Sequence, residues 1–453
     1  MPLLPVAGKK RNFAAAMNKE IFKIAIPAIV ANITVPLLGL VDTAISGHMG
    51  SEVFIGAVAV GTMMFNLIYW NFGFLRMGTS GLTAQAYGRG DRHAQVTLLR
   101  QSSTVALLIA LAVVVLQWPL QWLTLWLIGP SPEVTHLAKT YFYICVWGAP
   151  AILLMMALKG WLLGMQDSVS AMMISIVVNV LNIVASVLCV YGLDMGFSGI
   201  AAGTVAGEYL GLLFALWLVR RRFPWLAGEL HWRDTTHMQG TRLFFRVNGD
   251  IFVRSFLVML VMLAFIAVGA RSGDMTLAVN TLMMQLFTLY SHFLDGVAFA
   301  GEALVGKYAG RGDNPRLRLC VRWLMVWGLA FSAVFTLVYA FPHGVFALLT
   351  SEAQVVQAAM HYRLWCALIP AAGMAAFVWD GVFIGLTRTR WLLLAVVVAF
   401  VLFFALYALL PAAWGNNKLW IAYLLFLVTR GLVLTVGYYL HPRVTSTQSP
   451  PTS

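Results

Sequence analysis

Apolar runs long enough to cross a lipid bilayer follow one another along almost the whole chain, separated by short polar breaks. A helix needs about 20 mostly apolar residues to span hydrocarbon. Twelve such runs can be counted, centred roughly on residues 32, 64, 108, 145, 178, 209, 256, 288, 330, 367, 400 and 429. The pattern predicts an all-α polytopic membrane protein with twelve transmembrane helices. The longest polar stretch, 220–242, contains Pro224, Gly228, Arg233 and Asp234 and divides the runs six and six. The expected organisation is a short segment 1–19, a first lobe 20–220, a linker 221–242, a second lobe 243–440 and a tail 441–453. That tail is rich in Ser, Thr and Pro and carries too little apolar surface to fold, so it is expected to be disordered.

The two lobes repeat one another. Gly88-Arg89-Gly90-Asp91 returns as Gly310-Arg311-Gly312-Asp313, and Phe22-Lys23 returns as Phe245-Arg246. Tyr141 and Cys145 return as Tyr362 and Cys366, and Leu163-Gly164 as Ile384-Gly385. All of these matches fall 221 to 223 residues apart. An ordered series at nearly constant offset implies two related halves. Six spans per half is an even number, so the copies run parallel, related by an axis along the membrane normal. The local match of FLR at 74–76 with FLD at 293–295, 219 residues apart, sets Arg76 opposite Asp295 and makes the two a candidate ion pair, the alternative being that each is satisfied locally, Asp295 by Arg254 or Arg430.

Composition agrees with a membrane protein. Of 453 residues, 60% are hydrophobic and 10% charged, and the mean hydropathy is +0.83. A soluble domain with so little charged surface would not stay dispersed. The net charge of +13 raises nucleic-acid binding as an alternative, which the distribution of the charge excludes. Basic residues crowd the amino terminus, the turn holding Arg89 and Arg92, the linker, the segment 307–322, Arg388 with Arg390, and Arg443, whereas the alternate loops hold two. That is the positive-inside pattern, and it places both termini in the cytoplasm. A compact basic module for nucleic acid is lacking. Cys145, Cys189, Cys320 and Cys366 show no metal-ligand spacing. No nucleotide-binding fingerprint is present, so no cofactor is expected. No removed signal peptide is read at the start, which lacks a short apolar core ending in a cleavage site.

Asp42 lies in the last third of the first run, toward the outer face in this topology. A carboxylate held away from water is costly to ionise and can therefore hold and release a proton. Pro27 and Pro36 each remove a helix hydrogen bond, which makes the run bendable. A proton-holding acid on a bendable helix can couple occupancy to shape. The plainer alternative is an acid at the membrane boundary, capping a turn in water. Asp295 and Glu302 lie about two turns apart on one helix face. With Asp250, Arg254, Asp380 and Arg430 they form a candidate charge network, because opposite charges in hydrocarbon neutralise one another. Glu208 is of the same kind. Tyr141, Asn179, Asn182 and Thr204 are neutral polar groups at membrane depth, suited to bonding between helices or to lining a substrate cavity with Asp42.

The stretch Val35-Pro36-Leu37-Leu38-Gly39-Leu40-Val41-Asp42-Thr43 resembles the multidrug and toxic compound extrusion (MATE) family, within it the DinF-like branch. Further matching stretches are Leu75-Arg76-Met77-Gly78-Thr79, Gly81-Leu82-Thr83-Ala84-Gln85-Ala86, Leu294-Asp295-Gly296 with Glu302-Ala303, 380–385 and Arg430-Gly431-Leu432. The resemblance covers residues 18–440. It implies two pseudo-symmetric six-helix lobes around a central cavity, and export of organic cations or toxic compounds against an inward flow of protons or sodium. It places the family's first-span aspartate on Asp42, its fourth-span tyrosine on Tyr141, its fifth-span asparagine on Asn182 and its sixth-span threonine on Thr204. Where the family commonly has a second aspartate, this chain has Ser186. Lys159 stands about where a polar amide is often found.

The resulting expectation is a proton-coupled antiporter of the bacterial inner membrane. It exports small organic cations, drugs or other toxic compounds by alternating access, contacts membrane lipids, binds no nucleic acid and is monomeric. Protons are preferred to sodium as the coupling ion because Ser186 removes a carboxylate that a hard cation would use. Two other transport readings are a sodium-coupled exporter and a flippase for lipid-linked sugars; the latter would favour a strongly basic cavity and often fourteen spans. A membrane enzyme would need a clustered catalytic set, and the nine histidines are scattered.

Overall fold

The computed structural model describes residues 7–49, 51–229, 238–350 and 352–440. Among the described residues every regular element is a helix. In chain order these are α1 (Ala7–Gly47), α2 (Glu52–Tyr69), α3 (Phe74–Arg89), α4 (Arg92–Val115), α5 (Gln117–Ile128), α6 (Pro132–Cys145), α7 (Ala149–Gly164), α8 (Ser168–Val187) and α9 (Phe197–Arg222). The second series is α10 (Leu226–Glu229), α11 (Met238–Arg271), α12 (Asp274–Arg311), α13 (Asn314–Ala340), α14 (Pro342–Leu349), α15 (Ala353–Met360), α16 (Arg363–Gly385), α17 (Thr389–Leu409) and α18 (Asn416–Leu440). A 3₁₀ turn at Trp70–Gly73 joins α2 to α3 as one span, and another at Val146–Gly148 joins α6 to α7.

Eleven spans among the described residues are long and apolar enough to cross a membrane. The expected span near residue 288 is α12. Its 38 residues are long enough, but Asn280, Gln285, His292, Asp295 and Glu302 lower its hydropathy. Outward-facing apolar side chains such as Leu108, Leu111, Leu213 and Leu329 suit lipid contact. The expected residues 1–6, linker positions 230–237 and the tail 441–453 lie outside the described residues.

Two compact units divide the chain, one holding the residues up to Ile29 and from Gly249 onward, the other Val30–Asn248. The lobes read from hydropathy, 20–220 and 243–440, follow the polar breaks. The compact units instead divide inside α1 and inside α11, because each of these helices packs its first part with one unit and the remainder with the other.

The repeated sequence motif is a helix junction. Gly90 ends α3 and Gly312 ends α12, with φ of 74° and 70°. Glycine bears this left-handed conformation without a Cβ penalty. Asp91 and Asp313 then cap the next helices, accepting from the Ala94 N–H at 2.9 Å and the Arg316 N–H at 3.1 Å. Such caps satisfy amides that a helix start leaves unpaired. Gln166 and Thr387, equivalent in the repeat, both adopt positive φ, 67° and 53°.

Small residues set the packing inside each unit. A Cβ on Gly160 would stand 2.3 Å from the Arg76 carbonyl oxygen, and one on Gly381 would stand 2.1 Å from the Ala298 carbonyl oxygen. Because Gly160 and Gly381 are equivalent, Arg76 pairs with Ala298 in the repeat. Asp295 then corresponds to Gly73. This corrects the alignment by which Arg76 was set opposite Asp295: the Phe-Leu match falls at an offset of 219, three residues short of the 222 that joins Gly88 to Gly310. A second close seam runs along α8 and α9. Gly199, Gly203, Gly207 and Gly211 sit one turn apart and face Cys189, Ser186, Asn182 and Val178, a spacing that lets helix backbones approach closely.

Candidate coupling site and charge network

Asp42 lies five residues before the end of α1 and caps nothing. Its side chain is buried, with 6% of the residue exposed. Oδ1 is enclosed and has no hydrogen-bond partner among the described residues. Among the described residues no guanidinium pairs with it. The adjoining turn contributes Val41 and Ile45 to an apolar cluster with Tyr141, Cys145, Phe197 and Ala201, and Asp42 is close enough to Tyr141 and Cys145 to act on both electrostatically. A cavity of about 430 Å³, lined by Leu40, Val41, Ala44, Ile45, His48 and Tyr191, adjoins the same stretch of α1.

Tyr141 on α6 is buried in an apolar cluster that also holds Cys145, Phe197 and Ala201. The Thr204 hydroxyl donates to the Ile200 carbonyl at 3.0 Å. Asn182 on α8 is fully buried, and its Nδ2 has no partner among the described residues. The Ser186 hydroxyl, also fully buried, lies 3.4 Å from both Asn182 Oδ1 and the Ile200 carbonyl oxygen. Gly203 and Gly207 bring α9 against these two residues, so the seam fixes the polar groups of α8.

Asn179 turns to a different partner. Its Nδ2 donates to the Thr34 carbonyl and lies 3.1 Å from the Thr34 hydroxyl. Thr34 stands between Pro27, which is buried, and Pro36, which is exposed, and α1 remains helical through both. Asn179 therefore ties α8 to the α1 backbone beside the proline that weakens it. Of the two roles open to Asn179 from sequence, bonding between helices and lining a cavity, this bond is of the first kind, and no pattern in one sequence names Thr34 as the partner.

In the other unit, Asp380 on α16 accepts from Arg254 on α11 and from Arg430 on α18, the latter at 2.7 Å, both through Oδ2. All three residues are buried. Arg430 also lies 5.5 Å from the Phe426 ring centroid. Asp250 accepts instead from the Thr389 hydroxyl at 2.6 Å. Glu302 is buried and Asp295 half-buried on α12. The geometry thus joins Arg254, Asp380 and Arg430 directly, while Asp250 is held by a neutral partner. Glu208 on α9 faces Lys159 on α7 electrostatically, and Lys159 also feels Arg76. Among the described residues no group of three or more His, Cys, Asp or Glu side chains is placed to hold a metal ion.

Eleven apolar spans among the described residues, with buried charges paired at Asp380, define a polytopic membrane protein. The chain belongs to the MatE family, whose model matches residues 27–188 and 251–409. Members of this family are efflux transporters of drugs and toxic compounds rather than enzymes. The chain is 39% identical to DNA damage-inducible protein F of Escherichia coli over 438 residues, 95% of this chain and 94% of the relative. It is 24% identical to a probable multidrug resistance protein NorM of Rhizobium meliloti, covering 92% of each. The fold is similar to the crystal structure of the Vibrio cholerae MATE transporter VcmN in its bent form. The TM-score is 0.82 at 18% identity, covering 95% of this chain and 98% of that one.

Proposed function

We propose that this protein is a proton-coupled antiporter that exports organic cations or related toxic compounds by alternating access. It works in a bacterial inner membrane with both termini in the cytoplasm, and as a monomer. The observation that carries the reading is the Asp42 carboxylate, enclosed on a proline-bearing helix with no fixed partner for Oδ1. A permanently paired acid could not exchange its proton, whereas an open one in a poorly hydrated place responds to both proton and cation. In this reading Tyr141, Asn182 and Thr204 supply the neutral polar groups of the substrate cavity, and Asn179 links the bendable part of α1 to α8.

In the outward-open state Asp42 takes a proton from outside. Neutralising it weakens its attraction for a cationic substrate and changes the balance of α1 around Pro27 and Pro36. Drug leaves, the units reorient, and the proton is lost to the cytoplasm. Ser186 supports protons over sodium, since the site offers one carboxylate where a hard cation favours several oxygen ligands with charge. The relation to a multidrug resistance protein supports a broad, small-molecule substrate range. Dye efflux from inside-out vesicles, driven first by an imposed pH gradient and then by a sodium gradient, tests the proposal. Acceleration by the pH gradient alone is expected; acceleration by sodium alone would overturn it.

A further inference from the structure

The first part of α1 carries a polar cluster that transport by Asp42 does not use. Glu20 Oε2 accepts from Lys307 Nζ at 3.0 Å and from the Tyr308 hydroxyl at 2.8 Å, both on α12. Lys307 is largely buried there, with 16% of its side chain exposed, and Glu20 is partly open at 42%. One turn of α1 adds two further contacts. Trp327 on α13 donates through Nε1 to Asn18 Oδ1 at 3.1 Å, and its ring meets Phe22 edge-on at 4.5 Å. Further along, Gly296 approaches so closely that a Cβ would lie 2.9 Å from the Ala25 carbonyl oxygen.

The repeat shows that this cluster is no by-product of the fold. At the equivalent positions of the other half stand Leu243, Gln85 and Ala86, which cannot form a carboxylate–ammonium pair. Among the described residues the equivalent part of α11 carries no such pair, and α1 is also the helix that carries Asp42, about six turns further on. The helix begins in one compact unit and ends in the other, with both prolines near the crossing. Charge-assisted hydrogen bonds at a half-open site are strong enough to hold a helix and weak enough to open within a transport cycle.

We propose that Glu20, Lys307 and Tyr308 form a latch that holds the first part of α1 on α12 in one state of the cycle and must open to reach the other. The inference rests on the transporter reading above but not on which ion drives it. Glu20 and Lys307 are positioning residues: they touch neither substrate nor ion and act through the position of α1.

The test uses the full-length protein in membrane vesicles with ethidium as the cationic probe. Glu20→Cys and Lys307→Cys are introduced together with Cys189→Ala, leaving Cys145, Cys320 and Cys366 buried. The pair is then bridged with a short reducible linker. Bridging is expected to slow efflux by about tenfold or more, and reduction to restore it, because a latch that cannot open holds one state. Bridged protein that transports at the reduced rate would show a permanent anchor and overturn the proposal. As a second measure, Glu20→Lys and Lys307→Glu are each expected to reduce efflux, and the double exchange to recover most of it; a double exchange no better than the singles would also count against the latch. Loss of transport on bridging with Asp42→Asn fully active would sink the coupling reading and leave the latch. The reverse pattern would sink the latch and leave the coupling reading.

Discussion

The α8–α9 seam gives a prediction whose size follows from distances. A methyl group on Gly203 would lie 2.3 Å from Ser186 Cα, 2.4 Å from its backbone N and 2.6 Å from Oγ. Carbon atoms in favourable contact sit about 3.5–4.0 Å apart. The nearest atoms are backbone, so no rotamer change relieves the clash and the helices must part by roughly 1 Å or more. Overpacking of this kind costs about 1–3 kcal/mol, a factor of roughly 5 to 150 in a folding equilibrium. Gly203→Ala should therefore lower the melting temperature of the detergent-solubilised protein, read by the loss of its monodisperse elution peak on heating. Gly249→Ala is the control. It lies within α11 with nothing within 4 Å of its added methyl, and should be neutral or stabilising by about 0.5–1 kcal/mol through helix propensity. Because the seam also positions Asn182 and Ser186, Gly203→Ala should lose efflux below the temperature at which it unfolds. Equal melting and equal efflux for both variants would refute the reasoning.

Asp380→Asn should be destabilising by about 3–5 kcal/mol, because it leaves two buried guanidiniums without their shared carboxylate. Adding Arg430→Met should restore part of that loss in the same melting assay, and full additivity of the two changes would contradict a shared network. Asn179→Leu removes the bond to the Thr34 carbonyl and should alter the rate of efflux more than the melting temperature. An unchanged rate would separate Asn179 from the movement of α1.

Much of the architecture was legible because a membrane imposes a strong code. Spans of apolar residues and a Gly-Arg-Gly-Asp motif recurring at fixed offset both have direct physical causes. The structure supplies the cause of the last one: a glycine that ends a helix followed by an aspartate that caps the next. The apolar run read near residue 288 is the 38-residue helix α12, whose polar side chains leave it outside the eleven spans apolar enough to cross a membrane. What sequence could not give were facts set by distance across the fold. The three-residue difference before Gly310 was masked by a short Phe-Leu match, so Arg76 was paired with the wrong position. The bond from Asn179 to Thr34 and the cluster at Glu20 join residues 145 and 287 positions apart, and no local pattern announces such contacts. Asp42 was singled out from its place on the first helix, while its burial and its open Oδ1 became visible only in three dimensions.

The central claim is that Asp42 couples proton movement to export. The most direct measurement is efflux by Asp42→Asn in inside-out vesicles under an imposed pH gradient, alongside a check that the variant inserts and elutes as the parent does. The account predicts full-length, well-folded protein whose efflux no longer responds to the gradient. Gradient-driven efflux at the parental rate in that variant would contradict it.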